Sequence, residues 1–289
     1  MHKNSHRSRT AEGVAALRAA AARENDPELR NPDHLAEGLI SWKYRLGIRI
    51  APVRAMLLWS IERRMPGLYG YVTARTKHMD RLLIEDVCAG ARQVVVLGAG
   101  ADSRAYRLTA DLATIPIYEV DHPATGAWKQ DMLGRLLGRI PDHVHFVSAD
   151  FGMRTLRSAL DTAGVDRTVP TVFLWEGVTP YLVSDDIDAT LDALACFASG
   201  SSVIFDYWHR DAFDQPCPYP EGEKYIRGLA ARGEPVRSGL DPATLTDYLA
   251  EYGWHLVDNA TPAVLARQYL PGSTRQILSL SSIAHARLP

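Results

Sequence analysis

The sequence predicts an α/β fold, a doubly wound seven-stranded sheet preceded by a helical front section, and two observations lead to this prediction. From Gln93 onward, short apolar runs rich in β-branched residues alternate with segments of helical periodicity. Such an alternation is typical of a parallel sheet that helices cover on both faces. Before Gln93, prolines interrupt helical segments, and no segment shows the period of two that marks a half-buried strand.

The composition is that of an ordinary globular protein. Of the 289 residues, 46% are hydrophobic and 23% are charged, and the chain is long enough for one large domain or a domain with a lid. The net charge of -2 provides no overall attraction to nucleic acid or anionic lipid, so we expect neither as a partner. No apolar run reaches the roughly 20 residues of a membrane helix. The first residues lack the apolar core of a secretory signal, which favours a cytoplasmic location.

The three cysteines predict neither a disulfide framework nor a zinc site, because they lie far apart and form no CxxC pair. We expect no metal. Cys88 and Cys196 fall in apolar helical patterns, so we expect both to be small core residues.

Residues 1–80 are predicted to form a helical lid, and residues 81–289 an α/β domain with an insertion at about 210–240. An alanine-rich stretch after Thr10 favours a helix on propensity. Residues 41–79 carry many lysines and arginines against one acid, Glu62. We expect most of them to form a solvated helical face, and a cationic lid that steers an acidic aromatic substrate is the sharper hypothesis.

Five strand candidates follow in chain order: QVVVLG, IPIYEV, HVHFVSAD, TVFLWEG and SSVIFDYW. The helices between them are predicted to open near Asp102, Pro123, Gly152 and Ser184. Towards the end of the chain, WHLVD and RQILSLSSIA are two more strand candidates with no predicted helix between them. They are predicted to form an antiparallel edge pair that completes the seven-stranded sheet.

The first strand leads into a glycine turn, LGAGADS, in which Gly98 and Gly100 allow backbone amides to approach a ligand closely. Position 103, where a dinucleotide motif has its third glycine, is Ser103. The carboxylate of Asp102 would repel a pyrophosphate. The turn therefore favours a nucleoside that is not polyanionic.

Acidic residues follow the next three predicted strands. Glu119 and Asp121 come about 20 residues after the glycines, at the distance where an acid accepts hydrogen bonds from ribose hydroxyls. Asp150 ends the third strand and Glu176 the fourth. Since ligands bind at the carboxyl ends of parallel strands, this row of acids predicts a cationic nucleoside ligand. S-adenosyl-L-methionine, with a sulfonium, an α-amine and a ribose, is such a ligand.

With these residues the chain resembles the leucine carboxyl methyltransferase family of S-adenosylmethionine-dependent enzymes, which includes bacterial polyketide-pathway O-methyltransferases. The matching segments are TARTKHMD, VVVLGAGADSRAYRL, YEVDHP with the following Lys129, SADF, FLWEGVTPYL and GEPVRSGLDPATLTDYLAEYGW. They occur in family order over most of residues 70–255. The resemblance implies a class I methyltransferase-like fold and O-methylation with S-adenosyl-L-methionine.

The resemblance also implies roles for residues near the methionine half of the cofactor. Arg75 would pair with its carboxylate, Gly98 and Gly100 would line it, and Glu176 would lie near its amino group. Tyr181 resembles the family's tyrosine that faces the transferred methyl group.

For the nucleoside half, the resemblance implies that Asp121 holds the ribose hydroxyls with Glu119 beside it. Asp150 and Phe151 would bracket the adenine, with Phe151 where the family pattern has leucine.

The acceptor is the least determined part. A carboxylate is already ionised at neutral pH, whereas a phenol with a pKa of about 10 requires a base. The fourth strand ends in Glu176 and Gly177 rather than a histidine, which favours a carboxylate on a small natural product or a peptide C-terminus. A phenolic O-methyltransferase with His209 as its base is the alternative. A non-catalytic nucleoside- or RNA-binding protein that uses the basic segment 41–79 is the alternative of another class.

Overall fold

The computed structural model describes residues 9–149 and 155–289 and contains one seven-stranded sheet. Its strands are β1 (Gln93–Leu97), β2 (Ile117–Asp121), β3 (Val144–Ser148), β4 (Thr171–Trp175), β5 (Ser202–Trp208), β6 (His255–Ala260) and β7 (Ser281–Arg287). Their spatial order is β3-β2-β1-β4-β5-β7-β6. The first five strands are parallel, and β7 is antiparallel to both of its neighbours. The predicted doubly wound α/β fold is confirmed.

The strand order reverses at β1, which pairs with β2 on one side and β4 on the other. In such sheets the crevice for a ligand lies at the carboxyl ends of the strands beside this reversal. Side chains of β1 alternate between the two faces: Val94 and Val96 join one apolar cluster, and Val95 and Leu97 join the other. Both faces of the strand are therefore covered, as the continuous apolar run predicts.

Four helices precede the sheet: α1 (Arg9–Ala21), α2 (Trp42–Arg49), α3 (Ala51–Arg64) and α4 (Leu68–Cys88). Helix α4 is largely buried, whereas no residue of α3 is buried. The predicted boundary between residues 80 and 81 falls inside α4, so one continuous helix joins the two predicted regions. Among the described residues, no helix is long and apolar enough to cross a bilayer.

The remaining helices are α5 (Arg104–Arg107), α6 (Thr109–Leu112), α7 (Pro123–Leu137), α8 (Thr155–Thr162), α9 (Ser184–Leu194), α10 (Gly222–Ala230), α11 (Leu245–Ala250) and α12 (Pro262–Tyr269). The helix start predicted near Gly152 lies outside the described residues.

The predicted antiparallel pairing of the last two strands is confirmed, but the expectation that no helix separates them is wrong, because α12 lies between β6 and β7. The side chain of Thr261 accepts a hydrogen bond from the backbone nitrogen of Val264, and Pro262 occupies the first turn. Both features favour a helix start. Strand β7 begins at Ser281 and lies between β5 and β6, so only β6 is at the edge of the sheet.

The expectation that Cys88 and Cys196 are core residues is also wrong, since both are exposed. Cys88 is the last residue of α4, and Cys196 comes after the end of α9. The apolar periodicity of each helix therefore stops short of its cysteine.

Candidate active site

A cavity of about 450 Å³ lies beside the carboxyl ends of β1, β2, β4 and β5. Its volume is in the range of small-molecule and cofactor sites. Six predicted site residues border it together: Arg75, Gly98, Gly100, Asp121, Glu176 and Tyr181. Trp208, the last residue of β5, borders it as well. The site thus lies at the sheet edge where the row of acids predicts it.

The glycine turn after β1 forms the floor of the cavity. Gly98 has a φ of +67° and Gly100 a φ of +37°, which are left-handed conformations that favour glycine. A β-carbon at Gly98 would also collide with the side chain of Val178. Both glycines are therefore required by backbone conformation, and at Gly98 by close packing as well.

Asp121 braces this turn from the end of β2. Its Oδ2 accepts a hydrogen bond from the backbone nitrogen of Gly100 at 2.6 Å, and its Oδ1 accepts one from the backbone nitrogen of His122 at 2.6 Å. The side chain is partly exposed and borders the cavity. Asp121 is thus positioned both to hold the turn and to meet a ligand.

Glu119 lies apart from the cavity, although it is only two residues from Asp121. It is 2% exposed, and its Oε2 lies 2.8 Å from Nζ of Lys129, which is also 2% exposed. The same Nζ donates to the carbonyl oxygen of Ala99 at 3.3 Å. Burial raises the pKa of Glu119, which the ammonium group of Lys129 partly offsets. This pair therefore supports the turn from below, and Glu119 is not among the residues that line the cavity.

Arg75 and Glu176 form the centre of a buried ion network. Nη2 of Arg75 lies 2.9 Å from Oε1 of Glu176, and its Nη1 lies 2.5 Å from Oδ2 of Asp206. Nη2 of Arg104 lies 2.7 Å from the other oxygen of Glu176. Although burial opposes ionisation, the guanidinium groups of Arg75, Arg104 and Arg18 hold the pKa of Glu176 well below its usual range. Glu176 is therefore a carboxylate at neutral pH.

Sequence reasoning missed three members of this network: Asp206, Arg104 and Arg18. Asp206 accepts a hydrogen bond from the backbone nitrogen of Gly177 at 2.6 Å, and Arg18 donates to the carbonyl oxygen of Ala101 at 2.7 Å. A lone acid within the apolar run SSVIFDYW was a readable signal for Asp206, because buried charges are almost always paired. Arg18 comes from the alanine-rich helix α1, whose sequence carries no such signal.

Aromatic side chains form the wall on the side of β5. Tyr181, Trp208, Tyr225 and Tyr71 border the cavity. The hydroxyl of Tyr71 is bonded to Ser281 Oγ at 2.7 Å. Burial raises the pKa of Tyr181, so its hydroxyl is a hydrogen-bond donor and not a base at neutral pH.

His209 does not reach the cavity. It is 8% exposed, and its ring nitrogens contact Tyr219 Oη at 2.7 Å and Ser282 Oγ at 2.8 Å. Burial lowers its pKa. Both nitrogens therefore have partners within the fold.

Two predicted adenine residues, Asp150 and Phe151, lie outside the described residues. Within the basic segment 41–79, the cavity is bordered only by residues of α4, and none of α2 or α3 reaches it. Helix α1 covers the site instead, through Ala11, Glu12, Val14 and Arg18. No cluster of three metal-ligating side chains occurs in the ranges that the structure describes.

Comparison with known proteins decides the family. The leucine carboxyl methyltransferase family model matches residues 11–195, which is more than half of the chain. The chain belongs to the leucine carboxyl methyltransferase family. The match begins within α1 and includes α4, the glycine turn and the acidic strand ends, so it covers the residues that border the cavity from Ala11 to Tyr181.

Relatives of this methyltransferase are provisionally named S-adenosyl-L-methionine-dependent methyltransferases. One from Mycolicibacterium paratuberculosis is 29% identical over 278 residues, which are 89% of this chain and 85% of the relative. One from Mycobacterium tuberculosis is 37% identical over 204 residues, which are 68% of this chain and 63% of the relative. The cofactor of this methyltransferase is S-adenosyl-L-methionine.

Solved structures share the fold at low identity. A DUF574 family protein from Streptomyces avermitilis superimposes with a TM-score of 0.61 at 19% identity, over 82% of this chain and 91% of that chain. A protein from Thermobifida fusca that is provisionally named a methyltransferase superimposes with a TM-score of 0.60 at 15% identity, over 95% of this chain and 94% of that chain. These likenesses show the class I methyltransferase fold.

The residues around the cavity fit a cationic sulfur nucleoside. Ionised Glu176 and the acids Asp121 and Asp206 suit a sulfonium and an ammonium group, while Arg75 suits a carboxylate. Because Gly98 and Gly100 have no side chains, the backbone of the turn can approach a ligand closely. The role of each single residue in cofactor binding stays a prediction from the sequence.

Proposed function

We propose that this S-adenosyl-L-methionine-dependent enzyme methylates a carboxylate oxygen of a small apolar acid, such as a natural product or a peptide C-terminus. The observation that carries the proposal is the set of groups that could act as a base. Among the described residues that border the cavity there is no histidine. Its tyrosines Tyr71, Tyr181 and Tyr225 all have raised pKa values, with burial as the main cause.

A carboxylate acceptor needs no proton acceptor from the protein. Its pKa of about 4 leaves it ionised at neutral pH, whereas a phenol with a pKa of about 10 stays protonated without a base. The other side chains of the lining that could accept a proton are carboxylates, which are weak bases for a phenol. The lining therefore has no group suited to deprotonating a phenol, and an acceptor that is already ionised does not need one.

The carboxylates at the rim have structural partners of their own. Oε1 of Glu12 accepts a hydrogen bond from the backbone nitrogen of Ser41 at 2.7 Å. Oε2 of Glu234 accepts one from the backbone nitrogen of Thr10 at 3.1 Å. These contacts join α1 to the rest of the rim, so the two acids close the site.

The bound cofactor would supply an electrophilic methyl group on its sulfonium. The chain contributes position and shelter: the turn at Gly98 and the Arg75–Glu176 network orient the donor, and Tyr181 and Trp208 bound the space beside it. Alignment of the acceptor oxygen with the methyl carbon can supply about 7–11 kcal/mol of such a barrier. Helix α1 limits the access of water from above.

The product distinguishes the two kinds of acceptor. The enzyme is incubated with labelled S-adenosyl-L-methionine and a panel of aromatic and aliphatic acids and phenols, and labelled products are treated with mild base. We expect label that base releases as methanol, since esters hydrolyse under these conditions. Label that resists base, found on phenols and not on acids, would refute the proposed acceptor.

A further inference from the structure

The segment between β5 and β6 makes a long excursion through residues 210–240, and no contact with the acceptor has so far been assigned to it. It contains α10 and borders the cavity with Tyr225 of α10 and with Gly233, Glu234, Pro235 and Arg237. We propose that this segment builds the acceptor subsite, in which Tyr225 and Arg237 bind the carboxylate of a planar aromatic acid. The proposal rests on the carboxyl acceptor proposed above and names the class of acid.

The wall of the subsite is aromatic. The rings of Trp208 and Tyr225 lie 5.2 Å apart between centroids at an angle of 41°. Trp208 is 6% exposed and Tyr225 is 7% exposed, and both border the cavity. Leu68 and Leu278 add aliphatic surface to the same cavity. Aromatic and aliphatic surfaces of this kind favour a flat apolar body of a ligand.

The hydroxyl of Tyr225 makes no hydrogen bond with any residue that the structure describes. The ring is buried, but the hydroxyl is not a buried unpaired group, so it is open to the cavity, where a ligand oxygen can accept its hydrogen bond in place of water. Burial raises the pKa of Tyr225 to about 12, and the hydroxyl therefore keeps its proton at neutral pH. As a donor it suits an oxygen of a carboxylate.

Arg237 differs from the other arginines of the cavity. Arg18 and Arg75 are paired with carboxylates, whereas the guanidinium group of Arg237 forms no ion pair or hydrogen bond with a described residue. Its backbone is fixed, because its nitrogen donates to the carbonyl oxygen of Pro180 at 2.7 Å. Pro180 precedes Tyr181, so Arg237 is anchored next to the turn that carries Tyr181.

The charges of the lining show why a cation is needed there. The acids on the cavity outnumber its arginines: Glu12, Asp102, Asp121, Glu176, Asp206 and Glu234 stand against Arg18, Arg75 and Arg237. Such a lining attracts a cationic donor and repels an anionic acceptor. An unpaired guanidinium at the rim offsets this repulsion locally and can bind a carboxylate through two parallel hydrogen bonds.

The test uses two flat probes of one shape, naphthalene-2-carboxylate and naphthalene-2-carboxamide, titrated calorimetrically into enzyme saturated with S-adenosylhomocysteine. We expect the wild type to bind the carboxylate about tenfold more tightly than the carboxamide. Arg237→Gln and Tyr225→Phe should each weaken carboxylate binding several-fold and leave carboxamide binding within twofold. Arg227→Gln, the same change on α10 away from the cavity, is the matched control and should behave as the wild type.

Each outcome bears on the proposal. Unchanged affinity for S-adenosylhomocysteine shows that a variant is folded. Equal binding of the two probes by the wild type, binding of neither, or wild-type discrimination in both variants would overturn the subsite. Carboxylate binding that depends on Tyr225 and Arg237, together with base-resistant methyl products, would support the subsite and refute the carboxyl acceptor.

Discussion

Oδ2 of Asp121 lies 2.6 Å from the backbone nitrogen of Gly100, so the last residue of β2 closes the turn that follows β1. We therefore expect this one carboxylate to have two tasks, to hold the turn and to bind the cofactor. The amide oxygen of asparagine can accept the hydrogen bond from Gly100 without a charge and gives up only the exposed one from His122, which separates the two tasks experimentally.

We expect Asp121→Asn to keep the melting temperature close to that of the wild type while it lowers the affinity for S-adenosyl-L-methionine about tenfold or more. Asp121→Ala should abolish binding. Calorimetry with S-adenosyl-L-methionine and with NAD measures both. Asp131→Asn on the exposed surface of α7 is the control. Wild-type affinity in Asp121→Ala would contradict the ribose assignment, and binding of NAD alone would contradict the cofactor.

Gly98→Ala should destabilise the fold, because a β-carbon there meets Val178 and the φ of +67° is unfavourable for alanine. We expect a loss of about 1–3 kcal/mol in the free energy of unfolding, measured by urea denaturation. Gly126→Ala in α7 is the control, since its β-carbon would meet no atom within 4 Å. There we expect no loss or a gain of up to about 1 kcal/mol. Equal stability of the two variants would show that Val178 moves aside freely.

The lowered pKa of Glu176 predicts a particular pH dependence of stability. A carboxyl group whose pKa is lower in the folded state stabilises the fold above its unfolded pKa of about 4.3 and loses that contribution as the pH falls further. The difference in unfolding free energy between the wild type and Glu176→Gln should therefore be constant above about pH 5 and shrink below it. Denaturation curves between pH 3 and 8 measure this difference. A gap that stays constant down to pH 3 would mean that the arginines do not hold Glu176 ionised.

His209→Gln should leave the pH profile of methyl transfer unchanged, because His209 is buried between Tyr219 and Ser282 and does not border the cavity. His209→Phe removes both hydrogen bonds and should lower the free energy of unfolding by about 1–3 kcal/mol. Initial rates from pH 6 to 9, with the melting temperature of each variant, test both statements. A loss of the basic limb of activity in His209→Gln at wild-type stability would favour the phenolic alternative.

The sheet and its acidic edge could be predicted because they follow from local patterns. Apolar runs identify strands, and the residue after a parallel strand lies at one known edge, which places Asp121 and Glu176 together. The same pattern could not predict how deeply each acidic side chain is buried below the sheet edge. Glu119 is on the same face of β2 as Asp121 but two residues further in, and only its buried contact with Lys129 of α7 shows that it lies beneath the turn.

The helix between β6 and β7 was missed for a different reason. The segment TPAVLARQY begins with a capping threonine and a proline, both signals of a helix start that the strand interpretation overlooked. Arg18 and Arg104 needed tertiary information, because an arginine in a helix is usually solvated and nothing local shows that it will meet a buried carboxylate.

Helix α4 connects the front section of the chain to the first strand of the sheet. Its N-terminal half presents Arg75 to the cavity, and its C-terminal end leads directly into β1 through Gly90 and Ala91. Because α4 runs without a break through residue 80, there is no loop at that position to act as a hinge between the front section and the sheet. We therefore expect admission of donor and acceptor to depend on smaller displacements, of α1 and of the strip near Glu234, which the hydrogen bond from Thr10 to Glu234 joins at the rim.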